Sequence, residues 1–135
     1  MTNQTGILKY KKGETIICEG DNSDCAYIIE SGTAEVCKAL PGGKQHFVGT
    51  LVRDDIFGEL GLIDGLPRSA TVRALESCRI RKISQQTFSS LAKHNPKALM
   101  PILKVLVYRL RHTLRLVDKL ENKQVSHVTV SAVGF

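Results

Sequence analysis

From Ile7 to about Ile83 the chain reads as short apolar runs separated by turn residues. "ETIICEGD" ends in Gly20 and Asp21, "CAYIIESG" in Ser31 and Gly32, "TAEVCKAL" before Pro41-Gly42-Gly43, and "QHFVGTLV" before Arg53-Asp54-Asp55, with "ATVRALESCRIRKI" following later. Short strands at near-regular spacing with Gly, Pro and Asp between them predict an all-β sandwich or barrel, and Pro41-Gly42-Gly43 predicts a hairpin. After Ile83 the periodicity changes. Ser84 is placed to cap a short helix, "QQTFSSLAKH", that buries Phe88 and Leu91. Asn95-Pro96 supplies a second cap with proline at the first helical position, and Pro101 marks a kink or a fresh start in the long helical run from Lys97 to Lys123.

That long run carries Leu99, Leu103, Leu106, Leu110, Thr113, Val117 and Leu120 at alternating spacings of four and three, the seam of a coiled coil. Its first two turns are expected to pack on the β region. The part beyond Leu110 is expected to meet the same helix of a second copy, with Ile102, Val105, Leu114 and Leu116 widening the apolar face. The expected layout is therefore one domain over 1–123, a β barrel over about 7–83 and helices over about 84–123, with a tail over 124–135.

Composition changes this picture little. A chain of 135 residues suits one domain with a core of its own. The start of the chain has no signal-peptide pattern and no apolar run reaches membrane-spanning length, so a soluble, cytoplasmic protein without membrane partners is expected. Of the net charge of +6, five units lie in the last third, where seven basic residues between Lys97 and Lys123 face only Asp118 and Glu121. A solvated helix face accounts for them. Cys18, Cys25, Cys37 and Cys78 stand singly, without zinc-ligand spacing; Cys18, Cys37 and Cys78 fall in strand-like runs, where cysteine is usually a small buried hydrophobe. His46, His94, His112 and His127 are scattered and no nucleophile is paired with a base, so neither an enzyme nor a metal site is expected.

One segment fits neither a plain strand nor a plain helix: "FGELGLIDGLPRSATV", from Phe57 to Val72. Gly58 and Gly61 permit close backbone approach, and Leu60 to Asp64 has room for a single helical turn with free amides. Pro67 fixes the chain before Arg68, while Ser69 and Ala70 add two amides without bulk. Converging amides and a planar guanidinium suit a phosphate diester. Glu59 cannot share phosphate oxygens, since both sides accept; its partner must donate, as a ribose 2′-hydroxyl does. The plain alternative is a surface ion pair between Glu59 and Arg68 in an ordinary turn, which contributes little to stability.

On these residues the chain resembles the cyclic nucleotide-binding domain family, of the catabolite activator and protein kinase A regulatory type. "FGELGLIDGLPRSATVRA" is similar to its phosphate-binding cassette, and "YKKGETIICEGD", "AYIIESGTAEV" and "CRIRKISQQTFSSLAKHNP" are similar to its flanking strands and helix, so the likeness spans roughly Leu8 to Leu120. The resemblance implies an eight-stranded jelly-roll barrel followed by B and C helices. It implies that Gly58 and Leu60 give amides to the sugar-phosphate, that Glu59 accepts from the 2′-hydroxyl, and that Arg68, Ser69 and Ala70 hold the phosphate. Ile63, Val72 and Val48 are candidates for apolar contact.

"RLRHT" resembles the activator's C helix, which implies base contacts from Arg109 and Thr113, although Leu114 stands where that helix has serine. Cyclic AMP is the favoured ligand, with cyclic GMP open because Ser69 follows the arginine. No cofactor is implied. The resemblance and the seam together imply a homodimer through the C-terminal helix that signals to an unknown effector. The last residues, "QVSHVTVSAVGF", are too short for a helix-turn-helix, so direct DNA binding is not expected. An empty barrel serving only to dimerise is the competing reading.

Overall fold

The computed structural model describes residues 6–124. They fall into two units, one ending at His94 and the other beginning at Asn95. The first holds eight strands: β1 (Ile7–Tyr10), β2 (Thr15–Ile17), β3 (Cys25–Ser31), β4 (Ala34–Ala39), β5 (Gln45–Leu51), β6 (Ile56–Phe57), β7 (Thr71–Ala74) and β8 (Cys78–Ser84). They pair antiparallel in two four-stranded sheets, ordered β1-β8-β3-β6 and β2-β7-β4-β5. This is the expected jelly roll: apart from the β4–β5 hairpin, successive strands fall in opposite sheets, and the two inner faces enclose one core.

Alternation explains β8, where Cys78 and Ile80 point inward while Arg79 and Arg81 point out. In β4 the buried residues are Ala34 and Cys37, and beside them a bulge in β5 inserts Val48 between the partners of Val36 and Cys37. Ile29 and Ile80, paired across β3 and β8, are fully buried at the centre and pack with Tyr27, Phe57, Val72 and Ala74. Burying an isoleucine side chain contributes about 1.5–3 kcal/mol, so this pair is a substantial part of the core between the sheets. The hairpin at Pro41-Gly42-Gly43 is closed by a bond from Leu40 N–H to the Lys44 carbonyl, 2.7 Å. Cys18 departs from expectation: it lies just past β2 and is exposed, because the strand ends at Ile17 and the chain turns back at Asp21.

Between β6 and β7 runs a one-turn helix, α1 (Glu59–Asp64). After β8, Ser84 Oγ accepts the Thr87 N–H at 3.1 Å and starts α2 (Gln85–His94), the expected cap. Phe88 and Leu91 are only half-buried, since one face of this ten-residue helix lies along β8 and the rest meets solvent.

The second unit opens with a short 3-10 helix (Pro96–Leu99) and continues as α3 (Met100–Gln124). Pro96 takes the predicted first helical position, whereas the Asn95 side chain makes no cap bond. Pro101 thus marks a fresh start, as proline lacks the N–H a continuous helix would use there. Of the expected tail, Gln124 ends α3 and residues 125–135 lie outside the described residues. No helix among the described residues is long and apolar enough to cross a membrane.

Candidate functional site

The segment from Phe57 to Val72 carries the chain from one sheet to the other, and its conformation follows from its small residues. Gly58 has φ 76°, the left-handed region, and is the N-cap of α1. A side chain there would also strike Arg68: the position of its Cβ lies 2.6 Å from Arg68 Nη1. Gly61 serves a different purpose from the one expected. Its missing side chain makes room for Ser23 and the Leu66 carbonyl, so it packs α1 against the loop before β3. The Ser23 hydroxyl is buried there and has no hydrogen-bond partner among the described residues.

Arg68 is held at both ends. Its N–H donates to the Asp21 carbonyl at 2.8 Å and its carbonyl accepts from Gly20 N–H at 2.9 Å. Its guanidinium is folded inward, 6% exposed. Nη1 donates to the carbonyls of Cys25 (2.8 Å) and Gly58 (2.9 Å), Nη2 reaches Cys25 Sγ at 3.4 Å, and Cζ stands 5.6 Å from the centre of the Tyr27 ring. Tyr27 is itself stacked on Phe57, 5.2 Å between ring centres. Nη1 is thereby saturated by two carbonyls. The guanidinium keeps Nε–H and an Nη2–H, two parallel donors of the kind that engage paired oxygens.

Glu59, at 1% exposed, is the other buried charge of the loop. Both side chains are buried, so the two do not sit at the surface of an ordinary turn. After Arg68, the Ser69 carbonyl accepts from Lys38 Nζ at 2.6 Å, and Thr71 Oγ1 accepts from Glu19 N–H at 3.0 Å. Among the described residues, none of the backbone bonds of this segment is made by the amides of Ser69 or Ala70. Burial and the adjacent Cys25 thiol push the Tyr27 phenol well above its ordinary range, with Arg68 opposing the shift.

The structure thus gathers Gly58, Glu59, Leu60, Arg68, Ser69 and Ala70 on one loop. Arg109 and Thr113 stand one turn apart on α3 in the second unit, where Thr113 Oγ1 donates back to the Arg109 carbonyl at 2.9 Å. Of the apolar candidates, Val72 is core, while Ile63 and Val48 are exposed. Sequence reading missed Cys25, Tyr27 and Lys38 as partners of the loop, because all three come from β3 and β4 and nothing in their own segments marks them. Among the described residues no group of three or more His, Cys, Asp or Glu is placed to hold a metal ion.

Comparison with known proteins identifies the family of the chain. A family model of the cyclic nucleotide-binding domain matches residues 7–95. The CRP-like cAMP-activated global transcriptional regulator of Mycobacterium tuberculosis is 28% identical over 113 residues, covering 84% of this chain and 50% of that protein. The cAMP-dependent protein kinase regulatory subunit of Emericella nidulans is 42% identical over 84 residues, 62% of this chain and 20% of that protein. Among solved structures, the Thermus thermophilus catabolite activator protein matches with a TM-score of 0.79 at 25% identity, covering 85% of this chain and 54% of that one. The chain spans half the length of the bacterial regulator and a fifth of the kinase subunit.

Proposed function

Because the chain belongs to the cyclic nucleotide-binding domain family, we propose that it is a regulatory sensor of a 3′,5′-cyclic nucleotide, with cyclic AMP as the preferred ligand. The observation that carries this reading is Arg68: buried, fixed through Nη1 by two carbonyls, and left with parallel donors beside Ser69 and Ala70, whose amides take no part, among the described residues, in the loop and turn bonds of this segment. In this reading the cyclic phosphate sits between that fork and those amides, Gly58 and Leu60 contribute amides to the sugar-phosphate, and the buried Glu59 takes the 2′-hydroxyl.

Arg109 and Thr113 are assigned to the base. Exposed leucines of α3, Leu103, Leu110 and Leu120 among them, support pairing with a second copy. Filling the site is proposed to shift the helices after the barrel, by binding one of their arrangements more tightly than the other, and so to signal to an effector. The relatives named above are regulators by description, which supports a cytoplasmic switch rather than a catalyst. Cyclic GMP is the second reading, favoured by one feature: Ser69, an exposed hydroxyl directly after Arg68.

Calorimetric titration of ligand-stripped protein with each nucleotide tests the proposal, with Arg68→Ala and Glu59→Ala in parallel. Losing two charge-assisted bonds of about 1.5–3 kcal/mol each predicts at least a hundredfold weaker binding for Arg68→Ala. The tighter nucleotide in the wild type names the base. Folded wild-type protein that takes up neither would leave an empty dimerising barrel as the better account.

A further inference from the structure

The ladder between β4 and β7 pairs Ala34 with Ala74, Glu35 with Arg73, Val36 with Val72 and Cys37 with Thr71, and there it stops. Beyond it, side chains take over. Lys38 Nζ donates to the Ser69 carbonyl at 2.6 Å, and Ala39 N–H donates to Glu19 Oε1 at 2.9 Å. Glu19 Oε2 lies 3.8 Å from Lys38 Nζ, and Glu19 N–H donates to Thr71 Oγ1 at 3.0 Å. Lys38 therefore joins β4 to the segment before β7, and Glu19 braces both Lys38 and the end of β4.

The consequence comes from peptide planarity. In a trans peptide the C=O and N–H point to opposite edges of one rigid plane. The Ser69 carbonyl shares its plane with the Ala70 N–H, and the Arg68 carbonyl shares its plane with the Ser69 N–H. Gly20 N–H grips the Arg68 carbonyl at 2.9 Å; Lys38 grips the Ser69 carbonyl. Fixing each carbonyl aims the amide on the far edge. An ammonium donor also polarises the peptide, making its N–H a stronger donor, and the short bond is typical of a charged one.

We infer that Lys38 is a positioning residue for the anion-binding segment: anchored by Glu19, it grips the Ser69 carbonyl and so aims and strengthens the Ala70 N–H toward the ligand phosphate. The inference rests on the nucleotide reading above. It does not restate the fold's needs, because the Lys38 side chain is 48% exposed, and an exposed ion pair contributes little to stability.

The test uses the full chain with Lys38→Met, Lys38→Arg and Glu19→Gln, titrated with cyclic AMP, alongside the thermal midpoint and the Ala70 amide resonance of the ligand-free protein. Lys38→Met is expected to bind about tenfold more weakly, the loss of one charge-assisted bond. Its midpoint should stay near that of the wild type while the Ala70 proton moves upfield. Lys38→Arg, which keeps a cationic donor, should recover most of the affinity, and Glu19→Gln should fall between. Lys38→Met that binds like a binding-competent wild type overturns this inference alone, whether or not the midpoint falls. A wild type that binds neither cyclic nucleotide overturns the nucleotide reading, and this inference with it.

Discussion

Gly58 and Arg68 interlock: the Gly58 carbonyl accepts from Arg68 Nη1 at 2.9 Å, and the same nitrogen lies 2.6 Å from the point where a Gly58 side chain would begin. Ten positions apart in sequence, they form one unit, since the glycine both supplies the acceptor and leaves the space that the guanidinium fills.

Gly58→Ala is therefore expected to fail twice. The left-handed backbone at φ 76° costs about 1–2 kcal/mol for a residue with a Cβ, and the methyl must displace Arg68. Gly42→Ala, at φ 87° with open space around it, bears the backbone cost alone. Urea unfolding of both, with cyclic nucleotide titration, separates the effects: only Gly58→Ala should lose affinity as well as stability.

Arg68→Lys should behave almost as a deletion. A single ammonium cannot bond the Cys25 and Gly58 carbonyls while presenting two parallel donors outward. About a hundredfold loss of nucleotide affinity is expected, measured by titration; affinity within a factor of a few would show that charge without geometry suffices.

The phenol of Tyr27 predicts alkaline behaviour. Burial, reinforced by the Cys25 thiol, raises it above the ordinary tyrosine value, and burial raises Tyr10 too. The folded protein thus keeps protons that the unfolded chain releases at about pH 10. The stability this contributes is complete below that pH and is lost as pH rises beyond it toward the folded value. Unfolding free energies between pH 8 and 11 should turn downward near 10 in the wild type, and less steeply in Tyr27→Phe.

Ile29→Ala tests the sandwich independently of any ligand. Its side chain is wholly buried opposite Ile80, and truncation there should cost about 2–5 kcal/mol. Chemical unfolding measures the loss, and because Ile29 lies in the core rather than on the loop, ligand affinity of the folded fraction should hold.

Much of the barrel was legible because strand grammar is local. Short apolar runs with Gly, Pro and Asp between them marked β3, β4, β5 and β8, and the Ser84 cap was readable from one hydroxyl before a helical run. The two-residue strand β6 was hidden at the edge of the odd segment, since a pair of residues has no period. Cys18 was read as buried from its apolar neighbours, but strand ends are set by pairing, and β2 stops one residue earlier.

By itself the sequence determined the make-up of the loop: Glu59, Arg68 and small residues in the order on which the proposed sugar-phosphate reading rests, because residue types and their spacing are properties of the chain. Only the tertiary structure decided how that chemistry is held. Cys25 and Tyr27 from β3, Lys38 from β4 and Gly20 from the turn after β2 reach the loop across two sheets, and such contacts depend on register and sheet packing rather than on any local pattern.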